Sequence, residues 1–211
     1  CDAADGRLEI LYKKVGSCTS AMAQLKPGDV LNIMGPLGHG FPIPSPAAVP
    51  LLVAGGFGVA PLLFLAKRSP VKGLLFAGGR SARDVLLVAD FEALGWETRV
   101  CTDDGSLGTR GFVTAALDAW QSEHPATSAE MFSCGPEPLL AAVDRRAGLW
   151  GMKAWLSQDR RMGCGAGACL GCIQKMKRTT ETGEIQTYYA RVCKDGPVFA
   201  SGTIFWEGLK P

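Results

Sequence analysis

The chain has 211 residues, of which 47% are apolar and 20% charged, and its formal net charge is only +2. This length allows one large domain or two modest ones, and the near balance of charge gives no reason to propose nucleic acid or a membrane surface as a partner. No apolar run approaches the roughly 18 residues of a membrane span, and no basic stretch leads into an apolar one at the start, so we expect a cytoplasmic protein.

The first 41 residues predict the end of a β-domain. The predicted elements are strands over residues 8–15 and 30–34, a short helix from Thr19, a turn at residues 26–29 and a glycine-rich loop at residues 35–41. Because the chain begins with Cys1 and leads straight into a strand, we expect a processed or truncated product whose first domain is incomplete. The proline-rich residues 42–50 predict a linker, since closely spaced prolines prevent both a helix and a strand ladder.

From Leu51 onward, short apolar runs alternate with helical patterns. The predicted strands cover residues 51–54, 74–77, 98–102 and 130–133, and the predicted helices cover residues 59–68, 83–94, 111–120 and 138–147. This alternation predicts a parallel sheet of the doubly wound α/β class. Such a sheet binds its ligand at the carboxyl ends of its strands.

Four of the eight cysteines cluster near the end of the chain. Cys164, Cys169 and Cys172 have the C-x4-C-x2-C spacing of plant-type ferredoxins, with Cys193 further on, and this spacing predicts an iron-sulfur cluster, most simply [2Fe-2S]. Interleaved glycines would let the loop wrap closely around sulfide and point its N–H groups at the sulfur atoms. A structural zinc site is the alternative, although zinc sites usually use two C-x2-C pairs. A disulfide framework fits this clustering poorly.

A second signal indicates a dinucleotide. An apolar strand runs into the glycine turn at residues 55–58 and then into a helix, whose amino end offers free N–H groups to a phosphate. Loops at residues 78–80, 102–106 and 133–137 also follow predicted strands, and Cys134 would lie where a nicotinamide reacts. A plain connecting turn and an ordinary buried thiol are the alternatives, since the spacing is not that of the G-x-G-x-x-G fingerprint.

Six segments together resemble the electron-transfer subunit of NAD-dependent (class 1B) dihydroorotate dehydrogenase, a family of the ferredoxin-NADP reductase superfamily. They are residues 35–41, 54–61, 103–106, 134–136, 161–172 and 192–199. The resemblance implies the C-terminal part of an antiparallel FAD-binding β-barrel in residues 1–45, an NAD-binding α/β domain in residues 46–153 and a small [2Fe-2S] domain in residues 154–211. It also implies electron flow from dihydroorotate through FMN of a separate catalytic subunit, then this chain's cluster and FAD, to NAD, in a heterotetramer that serves pyrimidine biosynthesis.

The same resemblance assigns residues to each group. Cys164, Cys169, Cys172 and Cys193 match the cluster ligands. Leu11, Tyr12, Lys13, Cys18 and Thr19 match FAD contacts. Gly55, Gly56, Gly58, Pro61, Arg80, Asp103, Gly135, Pro136 and Glu137 match the NAD site, with Cys134 at the reacting nicotinamide. The sequence departs from the family in two places: the Arg-Pro-x-Ser segment that contacts FAD would precede Cys1, and Cys18 stands where glycine is common.

Electron chemistry supports a flavin independently of the family. A nicotinamide exchanges two electrons as a hydride and a [2Fe-2S] cluster exchanges one, so a chain with both implies a flavin between them. Two other functions stay open: the flavin and iron-sulfur subunit of another NAD(P)H-linked ferredoxin-type reductase, and a non-catalytic interaction domain stapled by a metal. Arg80 and Arg83 could meet a 2′-phosphate or face water, which leaves NADH and NADPH undecided.

Overall fold

The computed structural model describes residues 6–207, and the chain divides into two compact units, residues 1–36 and 37–211. In the described part of the first unit, the regular element is helix α1 (Ser17–Met22), which begins two residues before the predicted start at Thr19. The predicted strands at residues 8–15 and 30–34 are wrong, because neither segment forms a ladder with any described residue. The predicted turn is confirmed by hydrogen bonds between Lys26 and Asp29.

The second unit is built on a seven-stranded sheet of order β4-β3-β2-β1-β5-β6-β9. Its strands are β1 (Val49–Gly55), β2 (Leu74–Gly79), β3 (Glu97–Thr102), β4 (Thr109–Arg110), β5 (Ala129–Cys134), β6 (Lys153–Ser157) and β9 (Val198–Ala200). All pairs are parallel except β6 with β9. The four predicted strands are confirmed with longer bounds, and β1 takes the last residues of the predicted linker.

Helices cover both faces of this sheet, as the doubly wound prediction requires. They are α2 (Val59–Arg68), α3 (Val88–Ala93), α4 (Val113–Glu123) and α5 (Glu137–Trp150), with 3-10 turns at Gly56–Gly58 and Ala82–Asp84. One core packs α4 and α5 against Leu51 and Phe76, and the other packs α2 and α3 against Leu52 and Phe132. The predicted helix 83–94 is broken, because Leu87 adopts a left-handed φ of 59° between the 3-10 turn and α3.

The segment between β6 and β9 carries the clustered cysteines. It contains an antiparallel hairpin of β7 (Ile173–Thr179) and β8 (Ile185–Arg191), followed by the short helix α6 (Val192–Asp195). Met176 of β7 also bridges to Ile204, so the segment around Ile204 lies against the hairpin. Within residues 6–207, no helix is both long and apolar enough to span a membrane.

Candidate iron-sulfur and dinucleotide sites

The order of the strands along the sheet reverses between β1 and β5, and a doubly wound fold leaves a crevice at the strand ends where this reversal occurs. Ala54 and Cys134 are paired in the register of these strands, so their following loops lie side by side. A Cβ added at Gly58 would lie 2.0 Å from the carbonyl oxygen of Cys134, and one added at Gly135 would lie 2.9 Å from the nitrogen of Gly55. The loops therefore touch backbone to backbone, which explains the need for glycine in both.

Two helices begin at this crevice without a side-chain cap. Gly58 precedes α2 and Pro136 precedes α5, and neither supplies a side-chain hydrogen bond to the first turn. In α5 the N–H groups of Leu139 and Leu140 already donate to the carbonyl oxygen of Pro136 and Pro138 has no N–H, so the N–H of Glu137 is the one left for a phosphate. The structure thus brings together Gly55, Gly56, Gly58, Pro61, Cys134, Gly135, Pro136 and Glu137 from the predicted NAD set.

The loops after β2 and β3 form a second part of the same edge. Arg80 and Asp103 are exposed there, and the N–H of Asp103 donates to the carbonyl oxygen of Gly79 at 3.1 Å. Ser106 joins the loops, since its hydroxyl accepts the N–H of Ala82 at 2.8 Å and donates to Asp104 at 2.6 Å. The Ser106 hydrogen bonds lower the pKa of Asp104, because they stabilise its charged form.

The Cys134 thiol is neutral at physiological pH. Its desolvation raises the pKa to about 11, partly opposed by a hydrogen bond with Ser157, and the nearby charge of Asp159 raises it further. Only the thiolate is a strong nucleophile. The thiol therefore offers a small, uncharged surface at the end of β5, suited to contact with a ligand ring rather than to covalent catalysis.

Backbone N–H groups point at all four clustered sulfur atoms, with Gly167 as the donor to Cys193. Cys164 Sγ accepts from the N–H groups of Ala168 at 3.3 Å and Cys169 at 3.4 Å. Cys169 Sγ accepts from the N–H of Gly171, and Cys172 Sγ accepts from the N–H of Cys193, both at 3.4 Å. Hydrogen bonds of this kind stabilise thiolates that ligate a cluster.

The thiols are arranged as two pairs. Hydrogen bonds led by the N–H of Cys169 lower the pKa of Cys164 to about 6, and a side-chain hydrogen bond joins Cys164 to Cys169. Cys193 is hydrogen-bonded to Cys172, which raises the pKa of Cys193. Among the described residues, no three His, Cys, Asp or Glu side chains are grouped around one metal position. A binuclear cluster takes two protein ligands at each iron, so two thiol pairs fit it.

The loop around these thiols is shaped by residues with a left-handed backbone. Gly165 and Gly167 have φ of 67° and 78°, and Leu170 has φ of 58°. A Cβ added at Gly163 would lie 3.2 Å from Cys169 Sγ, and one at Gly167 would lie 2.9 Å from Cδ of Lys194. A side chain at Gly163 would occupy the space beside a sulfur atom, and one at Gly167 would press on Lys194, so the donor set and the loop both fit a [2Fe-2S] group.

The predicted FAD contacts lie in the first unit. Leu11, Tyr12 and Lys13 are exposed and outside regular structure, while Cys18 and Thr19 belong to α1. The Thr19 hydroxyl oxygen accepts the N–H groups of Val15 and Gly16 at 3.0 and 3.2 Å. Its hydrogen bonds thus hold the turn into α1.

Sequence reasoning missed the segment that links β6 to the cysteine loop. Ser157 and Asp159 act on Cys134, and Arg160 contacts Glu137 and Gln174. None of these residues belongs to a motif, and the contacts join positions far apart along the chain. The signal that could have found these residues is their position directly after β6, a strand that ends beside Cys134.

Comparison with known proteins covers both sites. Residues 159–205 match the family model of the iron-sulfur cluster binding domain of dihydroorotate dehydrogenase B. Electron transfer subunits of dihydroorotate dehydrogenase B (NAD(+)) from Bacillus caldolyticus and Fusobacterium nucleatum are each 38% identical over 96% of this chain and 76% of their own length. A solved structure of the NADH-dependent reduced ferredoxin-NADP oxidoreductase matches with a TM-score of 0.74 at 28% identity, over 93% of this chain and 68% of that one.

Proposed function

Because the chain belongs to the family of dihydroorotate dehydrogenase B (NAD(+)) electron transfer subunits, we propose that it is the electron-transfer component of NAD-linked dihydroorotate oxidation. Its cofactors are a [2Fe-2S] cluster, FAD and NAD, which when bound supply one-electron exchange, conversion between one- and two-electron exchange, and hydride exchange respectively. The observation that carries the proposal is the cysteine loop, whose four thiols form two pairs within the matched residues 159–205.

The residues of the cysteine loop hold and shield the cluster in this proposal. Cys164 and Cys169 form one ligand pair, and Cys172 and Cys193 form the other. The N–H groups of Ala168 and Gly171 stabilise the ligating sulfur atoms by hydrogen bonds. Cys172 and Cys193 are buried, whereas Cys169 is exposed, so the second pair lies against the protein interior.

The crevice between β1 and β5 holds the dinucleotide. The starts of α2 and α5 would hold the pyrophosphate, and Gly58 and Gly135 permit the close approach of the two loops. The neutral Cys134 thiol would offer the nicotinamide an uncharged contact. Leu11, Tyr12, Lys13, Cys18 and Thr19 supply the FAD contacts of the barrel segment.

The partner is an FMN-containing catalytic subunit that oxidises dihydroorotate, in a heterotetramer. The names of the relatives support a partner, since each is called a subunit. We place the assembly in the cytoplasm, where a reducing environment would keep Cys18, Cys101 and Cys134 as free thiols and leave the other four to ligate the cluster. We propose three domains: residues 1–45 bind FAD, residues 46–153 bind NAD and residues 154–211 bind the cluster.

Metal analysis of wild type and two cysteine variants tests the proposal. We expect brown wild-type protein with equal iron and sulfide, and dihydroorotate-dependent NADH formation once FAD and the FMN subunit are added. Cys169→Ser should lose the visible absorption and most of the iron, because a ligand is removed. Cys101→Ala, a buried thiol of β3 outside the cysteine loop, is the matched control and should keep both. Colourless wild-type protein with one zinc would overturn the proposal.

A further inference from the structure

Arg160 lies between the loop at residues 134–137, which we call the dinucleotide loop, and strand β7, which directly follows the cysteine loop at residues 161–172. It contacts both the dinucleotide loop and β7. Its Nη2 donates to Oε1 of Glu137 at 3.4 Å and also to Oε1 of Gln174. The Arg160 and Glu137 side chains are 34% and 38% exposed, so the contact lies at the edge of the interior. One guanidinium group thus joins two segments that carry different chemistry.

Glu137 fixes the dinucleotide end of this contact. It is the first residue of α5 and follows Pro136 directly. A Cβ added at Gly55 would lie 2.7 Å from Cδ of Pro136, so this loop is packed tightly against the glycine turn of β1. Glu137 thus directly follows the residue that packs against the glycine turn.

Gln174 fixes the cysteine end. It lies in β7, two residues after Cys172, and is only 3% exposed. Its Nε2 donates to the carbonyl oxygens of Lys175 at 3.0 Å and Phe205 at 3.3 Å. These two bonds set the orientation of the amide, so its Oε1 is held toward Arg160 and cannot easily follow a different partner.

The segment that carries Arg160 also contacts the dinucleotide loop at a second point. Ser157 and Asp159 both act on the Cys134 thiol, and Ser157 is paired with Cys134 in the register of β5 and β6. Arg160 Nε is buried and has no hydrogen-bond partner among residues 6–207. A buried unpaired donor costs about 1–3 kcal/mol, so stability alone does not explain an arginine here.

We propose that Arg160 is a positioning residue that couples occupation of the dinucleotide crevice to the surroundings of the cluster. The inference rests on the proposed function, because it needs both groups to bind this chain. A ligand at residues 134–137 shifts Glu137, Arg160 follows the carboxylate, and the held amide of Gln174 transmits the change to the strand that begins beside Cys172. Because coupling is reciprocal, the oxidation state of the cluster alters the affinity for the dinucleotide by the same factor.

The test is the midpoint potential of the cluster in the FAD-reconstituted full chain, with and without saturating tetrahydro-NAD, a redox-inert analogue. For wild type we expect about a threefold difference in analogue affinity between the two cluster states, which is a shift of about 28 mV for a one-electron couple. Arg160→Met should reduce the difference to about 1.5-fold or less, about 10 mV. Since the shift compares two states of one variant, the static effect of the lost positive charge cancels.

Two further variants complete the test. Arg178→Met removes the same charge from β7 and breaks contacts only within the hairpin, the hydrogen bonds with Gln186 and the stacking on Tyr188, so it should keep the wild-type shift. Glu137→Gln removes the other half of the contact with little change in shape, and it decides the question if Arg160→Met does not fold. An unchanged shift in the Arg160 or Glu137 variant, or no shift in wild type that binds both groups, overturns the inference alone. Wild type without a cluster or without analogue binding overturns the proposed function as well.

Discussion

Replacing Gly58 by alanine tests whether the dinucleotide crevice depends on backbone contact between its loops. The new Cβ would lie 2.0 Å from the carbonyl oxygen of Cys134, 2.3 Å from its carbonyl carbon and 2.7 Å from the nitrogen of Gly135. Non-bonded carbon atoms settle at about 3.5–4.0 Å, so the loops must separate by more than about 1 Å. None of the three atoms belongs to a side chain that could rotate away.

We expect Gly58→Ala to lower the free energy of unfolding by about 1–3 kcal/mol, the usual cost of an overpacked interior. A misplacement of about 1 Å at a reacting centre costs about 100-fold in rate, so NADH oxidation with ferricyanide should fall by that order. Urea unfolding and steady-state rates of the FAD-reconstituted chain measure the two effects. Iron content should stay at the wild-type level, because the cysteine loop is not involved.

Gly148→Ala is the matched control. Gly148 lies in α5, and a Cβ there would meet no atom within 4 Å. Alanine should therefore stabilise the helix by about 0.5–1 kcal/mol and leave the rate unchanged. If Gly58→Ala unfolds within about 0.5 kcal/mol of wild type, the range of neutral surface changes, and oxidises NADH at a similar rate, the close-contact argument is refuted.

Two other predictions concern buried groups. The Cys134 thiol has its pKa raised from near 9 to about 11, so the folded state keeps a proton that the unfolded state loses, and stability should fall by about 2–3 kcal/mol as pH rises from about 9 to about 11. Cys134→Ser should lack this fall in urea unfolding series, and parallel curves for the two proteins would contradict the assignment. Asp144 accepts the N–H of Gly202 and the Nε1–H of Trp206, each at 2.6 Å. In Asp144→Asn the side-chain NH2 group would face one of these donors, so the free energy of unfolding should fall by about 1–3 kcal/mol. Exposed Glu181→Gln is its control, and equal stability of both variants would show that the carboxylate is not needed.

The central α/β fold could be predicted because its signals are local. Apolar runs bounded by glycine marked β1, β2, β3 and β5, and the intervening helical periodicity marked α2 and α5. Strand β9 was missed because it has three residues and pairs with β6 across the whole cysteine segment. Pattern alone does not reveal a partner that distant.

The wrong predictions have a similar cause. Residues 8–15 are rich in apolar side chains, yet a strand also needs a neighbour, and Leu8 is 51% exposed. The predicted helix over residues 83–94 is broken before α3 because Leu87 has a left-handed backbone conformation, which the amino-acid composition does not predict. The cysteine set could be predicted from spacing, whereas the contacts of Arg160 join residues 23 and 14 positions apart and required the fold.

The topology of the sheet explains why two such different sites can share one arginine. Strand β6 runs parallel to β1 and β5, so its carboxyl end at Ser157 lies at the edge where the dinucleotide loops lie. Antiparallel β9 starts at that same edge, since Val198 is paired with Ser157. Residues 158–197 therefore leave the sheet and return to it beside Cys134, and the cysteine loop is tied to that edge at both ends. The distance from one site to the other is consequently set by strand direction, and the long side chain of Arg160 spans it to reach both Glu137 and Gln174.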